Sequence, residues 1–104
     1  MKKSYIYFMA NKNNTVIYIG VTSNLLERVY QHKTKIHKGF TASYNCDKLV
    51  YSEEFENINQ AIAREKQLKA GNRKRKEALI QIENPYWKDL SEGWISIIAI
   101  YKAP

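Results

Sequence analysis

The sequence is poor in cysteine, histidine, proline and glycine, and it contains no long apolar run. The only cysteine, Cys46, excludes an internal disulfide framework and a multi-cysteine zinc site. The longest apolar run, from Trp94 to Tyr101, is too short for a transmembrane helix and is interrupted by Ser96. The basic N-terminus is followed by neither a long apolar stretch nor a small-residue cleavage site, so we expect no secretory signal. These absences predict a small cytoplasmic protein with no membrane span.

The length and the charge limit what remains. A chain of 104 residues with 44% hydrophobic residues predicts one globular domain over residues 1–104. The net charge is +7, and the excess lies in two blocks, because residues 1–35 and residues 64–77 each carry +5 whereas residues 36–63 carry −2. A solvated helix face is the common explanation of such a block. The functional explanation is a patch that faces phosphates, and it predicts salt-dependent binding to a polyanion.

The first twenty residues predict a β-hairpin. Residues 4–10 and 15–19 are rich in β-branched and aromatic residues, and a polar four-residue turn separates them. The second strand is expected to stop at Gly20. Closing the hairpin on that turn places Tyr7 directly opposite Tyr18, with both phenols on one face of the sheet.

The rest of the chain predicts one more strand and about three helices. Asn24 is a good N-cap for the first helix, and Asn57 or Asn59 for the second, which runs to about Ala70. Gly71 and Asn72 separate it from a third helix. The remaining expected elements are a loop over 37–43, a strand over 48–55, the third helix over 73–83 and a strand or helix end over 95–101. The fold class is α/β (α+β), with a small three-stranded, mainly antiparallel sheet.

A carboxylate stands on the apolar side of the second predicted helix. At 100° per residue, Glu65 falls in the middle of the stripe formed by Ile58, Ala61, Ile62 and Leu68. Burial of an unpaired carboxylate is costly. Two interpretations stay open, namely an ion pair with Lys69 at the wet edge of the stripe and a ligand for a hard divalent cation in a cleft.

The order and spacing of five residues resemble the GIY-YIG nuclease family over about residues 4–80. The similarity lies in Tyr5-Ile6-Tyr7, then Tyr18-Ile19-Gly20, then Arg28 and His32 on one helix, and Glu65 on another. Among subgroups, the chain is most similar to the small single-domain bacterial endonucleases. The resemblance implies that Tyr7 and Tyr18 position or activate the attacking water, with His32 hydrogen-bonded near them. It also implies that Arg28 stabilises the phosphate and that Glu65 binds the catalytic Mg²⁺ or Mn²⁺.

The first motif departs from the family pattern, because Tyr5 stands where the family has glycine. Gly20 is expected to let the backbone turn closely after the strand. Many family members have an asparagine after the metal-binding glutamate. Asn84 is a better placed candidate for it than Asn72, which is too close to Glu65. The basic block is expected to contact nucleic acid through Arg64, Lys66, Lys69, Arg73, Lys74, Arg75 and Lys76.

The leading hypothesis is thus a metal-dependent endonuclease that acts on DNA, in repair or recombination. The alternatives are a non-catalytic nucleic-acid-binding module on the same scaffold and an interaction domain whose basic helix binds an acidic protein. Specificity has to come from a substrate structure or a homodimer, because no second domain is expected. The C-terminal aromatic segment, 84–104, is a candidate for either core or dimer interface, and core is favoured.

Overall fold

The computed structural model describes residues 2–94 as a three-stranded antiparallel sheet with helices on both faces. The strands are β1 (Ser4–Ala10), β2 (Ile17–Thr22) and β3 (Lys48–Phe55), in the order β2-β1-β3. The helices are α1 (Leu25–Thr34), α2 (Phe40–Ser43), α3 (Ile58–Ala70) and α4 (Arg73–Glu83). The predicted fold class is confirmed, and the one-turn helix α2 lies in the predicted loop. The element predicted over 95–101 lies outside the described residues.

Asparagine side chains begin the three long helices. Asn24, Asn57 and Asn72 each accept a hydrogen bond from the backbone N–H three residues later, at 3.0–3.1 Å. Each bond satisfies one of the N–H groups that the first turn of a helix leaves without an intrahelical partner. The predicted helix starts are therefore confirmed, and Asn57 rather than Asn59 caps α3.

The predicted hairpin register is wrong by two residues. Tyr7 pairs with Gly20, and Tyr18 pairs with Met9. The loop is longer than predicted because the Asn11 carboxamide oxygen accepts hydrogen bonds from two loop N–H groups, at 2.9 and 3.0 Å, and so holds residues 15 and 16 outside the ladder. An even shift preserves the alternation of side chains. Tyr7 and Tyr18 therefore still share one face, as diagonal neighbours.

The central strand β1 supplies side chains to two separate cores. One face of the sheet packs against α3 and α4, in a core that includes Ile6, Phe8 and Ile80. The opposite face packs Tyr7 and Met9 with core residues Val29, Cys46 and Leu49. Because β1 is covered on both faces, its residues 6–10 have no exposed surface. Tyr7 is consequently a buried phenol in the middle of the sheet, on the face that carries α1.

The longest described helix, α3, buries a narrower stripe than the sequence predicts. Ala61 and Leu68 are buried, but Ile58 and Ile62 are 39% and 37% exposed. The helix packs against all three strands, mainly β1 and β2, and these two isoleucines stay partly at the surface. No helix within residues 2–94 is long and apolar enough to cross a membrane.

Asn84 holds the end of α4 against β3. Its side-chain N–H₂ group donates to the carbonyl oxygens of Val50 and Lys88, at 3.1 and 2.8 Å, and its oxygen accepts from the Lys88 N–H at 3.0 Å. The residue is 6% exposed. All its polar atoms are thus occupied within the fold, on the α4 face of the sheet. The structure gives Asn84 a packing role in place of the expected site role.

Asn84→Ala is expected to lower the free energy of unfolding by about 2–3 kcal/mol, because it leaves buried backbone groups without partners. Cleavage per folded molecule should stay unchanged. Urea denaturation measures the first effect, with Asn59→Ala as the control for an exposed helix asparagine. An Asn84→Ala variant of normal stability that fails to cleave DNA would contradict this prediction and support a role for Asn84 in the active site.

Candidate active site

The ring of Tyr7 lies against Gly20 in the edge strand β2. A Cβ atom added to Gly20 would lie 2.4 Å from both Cζ and the hydroxyl oxygen of Tyr7. Real Cβ atoms do not approach other atoms so closely, so the ring occupies the space that a side chain would need. Gly20 lies within β2 rather than after it, which corrects the expected role. The glycine makes room for a phenol instead of a turn.

A short chain of hydrogen bonds runs from Tyr7 into the helical layer. The Tyr7 hydroxyl lies 2.8 Å from His32 Nε2, and His32 Nδ1 lies 2.9 Å from the Thr41 hydroxyl. His32 is in the last turn of α1, and Thr41 is a buried residue of α2. Thr41 could not be found from the sequence, because neither spacing nor a motif connects it with His32.

The imidazole of His32 is neutral at pH 7. Burial, followed by the electrostatic effects of Arg28 and His37, lowers its pKa to about 4. A neutral imidazole has one donor and one acceptor nitrogen. The hydroxyl groups of Tyr7 and Thr41 can each donate or accept, so both tautomers of His32 find suitable partners. Burial and the neighbouring Tyr18 raise the pKa of Tyr7 well above its usual value, whereas Arg28 opposes that rise. The resting pair is therefore a neutral phenol and a neutral imidazole.

The depressed pKa of His32 predicts acid-sensitive stability. The unfolded chain takes up a proton on this residue below about pH 6.5, but the folded chain does so only near pH 4. Stability should therefore be constant above pH 6.5 and fall as the pH drops towards 4. After a discount for partial exposure, we expect a loss of about 1 kcal/mol between pH 7 and pH 5. Urea denaturation at both pH values tests this, and an equal loss in His32→Gln would contradict it.

Tyr18 and Arg28 line an open cleft beside the hydrogen-bonded series Tyr7, His32 and Thr41. The Tyr18 ring centroid lies 6.3 Å from that of Tyr7 and 5.5 Å from that of His32. Arg28 is exposed, one turn before His32 on α1. The cleft has a volume of about 240 Å³. Its wall consists of Tyr18, Arg28, Gln31, His32, His37, Lys38, Gly39, Phe40 and Thr41.

Glu65 approaches the same phenol from α3. Its side chain is 21% exposed and forms an i, i+4 ion pair with Lys69, with 3.5 Å between Oε2 and Nζ. The negative charge of Glu65 adds a smaller rise in the pKa of Tyr7, after burial and Tyr18. The carboxylate thus acts on the Tyr7 hydroxyl although it belongs to a helix that packs on the other face. Of the five predicted residues, Tyr7, Tyr18 and His32 are in mutual ring contact, and the charges of Arg28 and Glu65 act on the Tyr7 hydroxyl.

Comparison with known proteins shows the family to which the chain belongs. A family model described as the GIY-YIG catalytic domain matches residues 3–89. The chain belongs to the GIY-YIG family. A UPF0213 protein of Staphylococcus haemolyticus is 31% identical over 81 residues, which cover 78% of this chain and 98% of that protein. A UPF0213 protein of Clostridium perfringens is 35% identical over 77 residues, or 74% and 82% of the two chains.

A solved structure supports the same fold. The solution NMR structure of a UPF0213 protein from Bacillus halodurans matches with a TM-score of 0.53 and 23% identity. The match covers 88% of this chain and 97% of that chain. At this identity the likeness concerns the fold alone. The small GIY-YIG scaffold is thus shared across nearly the whole length of the neighbour.

The donor set of this GIY-YIG domain fits a hard cation held by one carboxylate. No group of three or more histidine, cysteine, aspartate and glutamate side chains that could hold a metal occurs within residues 2–94. Magnesium does not need such a group, because it keeps several waters and takes further oxygens from substrate phosphates. Glu65 suits this mode of binding, since Lys69 is the one ion-pair partner found for it in the described chain.

Two arginines of the predicted nucleic-acid-binding block have partners within the fold. Arg64 donates to both carboxylate oxygens of Glu53, at 2.9 and 3.0 Å, and to Gln67. Arg73 donates to the carbonyl oxygens of Asn14 and Thr15 in the hairpin loop. These guanidinium groups therefore join helices to the sheet. Lys76 also has a partner within the fold, because its Nζ donates to the Gly71 carbonyl oxygen at 3.0 Å.

Tyr18 lies between two grooves of the GIY-YIG domain, and each groove has cations in its wall. Lys69 and Lys76 line a second groove of about 330 Å³, together with Tyr18 and Phe40. Lys66, Lys74 and Arg75 are exposed on the same two helices. Tyr18 therefore lies between Arg28 of the first basic block and two lysines of the second, Lys69 and Lys76.

Proposed function

We propose that the protein is a metal-dependent endonuclease that hydrolyses phosphodiester bonds in DNA. The observation that supports this most strongly is the partly buried hydrogen bond between Tyr7 and His32, beside Tyr18 and Arg28 in an open basic cleft. A buried phenol paired with a neutral imidazole adds little to packing that phenylalanine could not supply. Such a pair can hold and move a proton.

The chain's own residues divide the work of hydrolysis. Tyr18 lines the cleft and contacts the attacking water or the phosphate. Tyr7 lies behind it without exposed surface and acts through the hydrogen bond with His32, which orients the phenol and can exchange a proton with it. Arg28 carries a permanent charge into the cleft and stabilises the negative charge that develops on the phosphoryl oxygens.

Glu65 would hold Mg²⁺ or Mn²⁺. When bound, such an ion lowers the pKa of a coordinated water and neutralises charge on the phosphate. The ion pair between Glu65 and Lys69 is no obstacle, because exposed ion pairs contribute about 1 kcal/mol or less. We also propose that residues 1–104 form a single domain and that the protein acts in the cytoplasm.

A second candidate is a non-catalytic nucleic-acid-binding module on the same scaffold. The cations on both sides of Tyr18 favour it, because they would bind a phosphate backbone with or without hydrolysis. The grouping of four polar or charged residues around the buried Tyr7 phenol favours the enzyme, since binding alone does not require such a phenol.

A cleavage screen separates the two candidates. The purified protein is incubated with linear, flapped, branched and nicked DNA in Mg²⁺ and in Mn²⁺, and the affinity for each DNA is measured over a range of salt concentrations. The endonuclease predicts cleavage that stops when EDTA is added. Salt-sensitive binding without turnover on any substrate would favour the binding module.

A further inference from the structure

Two aromatic rings lie exposed at the two ends of the short helix α2, where Phe40 is the first helical residue and Tyr44 is the C-cap. Phe40 is 50% exposed and Tyr44 is 52% exposed. Their ring centroids are 4.6 Å apart, with 37° between the ring planes. Together they present a continuous apolar surface to solvent, which we call the aromatic pair.

The aromatic pair continues the ring contacts of the active site to the surface. The Phe40 ring lies 6.1 Å from Tyr18, at an interplanar angle of 30°, and Tyr18 contacts His32 and Tyr7 in turn. Exposure rises along this series from the fully buried Tyr7 to the half-exposed Tyr44. A ligand whose charged part reaches Tyr18 would therefore have an aromatic surface directly beside it.

Positive charges lie on both sides of the aromatic pair. Phe40 forms part of the wall of both grooves, and Arg28 and Lys38 line one of them whereas Lys69 and Lys76 line the other. A strand with phosphates at regular intervals and a flat ring between them fits this arrangement. In single-strand recognition, aromatic side chains stack on bases while cations follow the backbone.

We propose that the aromatic pair stacks an unpaired nucleobase next to the phosphate held at Tyr18 and Arg28. The inference rests on the proposed function and names its substrate class, which is single-stranded or locally unpaired DNA. The base faces inside a duplex are already stacked on their neighbours, so duplex DNA could offer this surface only its backbone. The aromatic pair would in this way supply specificity that the small domain otherwise lacks.

Binding to a cleavage-deficient protein tests the inference apart from catalysis. Fluorescence anisotropy measures the affinity of Glu65→Ala protein for a single-stranded oligonucleotide and for the matching duplex. Phe40→Leu or Tyr44→Leu, added to that protein, is expected to weaken single-strand binding by about 5- to 150-fold and to leave duplex binding unchanged. Leucine keeps the apolar packing against Tyr18, and Phe40→Tyr should restore the affinity. Tyr86→Ala, which removes an aromatic residue that is 81% exposed elsewhere, is the control.

An abasic scan locates the base. A single abasic nucleotide is moved along the oligonucleotide, and at one position its effect should match that of Phe40→Leu. Combining the two changes at that position should cost no more than either alone. Additive losses at every position, equal losses on single strand and duplex, or equal ring-dependent affinity for a polyglutamate peptide would each overturn the inference.

The two proposals fail in different ways. Ring-dependent binding of single strands by a protein that cleaves nothing would contradict the endonuclease and support the stacking surface. Equal cleavage of single-stranded and duplex DNA, unaffected by Phe40→Leu, would support the endonuclease and contradict the stacking surface.

Discussion

Glu65→Ala is expected to reduce Mg²⁺-dependent cleavage by about a thousandfold or more, because it removes the carboxylate whose charge reaches the Tyr7 hydroxyl. The variant should fold normally. In the described chain, Glu65 contributes only a partly exposed ion pair with Lys69, which is worth about 1 kcal/mol or less. Single-turnover cleavage measures the first effect and thermal unfolding measures the second.

Glu77→Ala is the matched control for this prediction. Glu77 also forms an i, i+4 ion pair, with Arg73 at 3.2 Å, but it lines a different pocket on α4, with Trp87. We expect Glu77→Ala to cleave at the normal rate. Normal cleavage by Glu65→Ala, or an equal loss in both variants, would mean that Glu65 is not the metal ligand.

Gly20→Ala is expected to lower the cleavage rate by about a hundredfold, although Gly20 has no side chain to contribute. The new methyl group would overlap the phenol of Tyr7, so the ring must move and its hydrogen bond with His32 must break. Because the ring is buried, we also expect a loss of about 1–3 kcal/mol in the free energy of unfolding. The cleavage rate of Gly20→Ala, measured well below its melting temperature where the variant is folded, separates the loss of activity from the loss of stability.

A double-mutant cycle with Tyr7→Phe tests whether Gly20 acts through the phenol. If it does, Gly20→Ala should cost little further activity once the hydroxyl is gone. Gly71→Ala is the control, since a Cβ there would find its nearest neighbour at 3.4 Å, in ordinary contact. Additive losses in the cycle, or full activity in Gly20→Ala, would contradict the role given to this glycine.

The fold was predictable where local rules decide it. Asn24 and Asn72 cap their helices because their side chains satisfy nearby N–H groups, and that depends on residues three positions apart. Tyr7 and Tyr18 share a face because side chains alternate in any strand. That inference survived a wrong register, since the error was an even number of residues.

The remaining features depend on contacts between distant parts of the chain. Thr41 is a partner of His32 only because α2 folds over α1, and no sequence spacing encodes that contact. Arg64 and Arg73 look like free cations in the sequence until β3 and the hairpin loop supply their acceptors. The exposure of the Phe40 ring is likewise a result of packing, because the sequence does not distinguish a buried aromatic residue in a loop from an exposed one.

The most direct test of the account is metal-dependent turnover by the unmodified protein. End-labelled DNA of the best class found in the screen is incubated with excess protein while Mg²⁺ is titrated, with Glu65→Ala and Tyr7→Phe proteins in parallel. The account predicts that the rate of strand cleavage rises with Mg²⁺, falls to zero with EDTA and is lost in both variants. Cleavage that persists in the purified Glu65→Ala protein, or its absence from the wild type on every substrate, would contradict it.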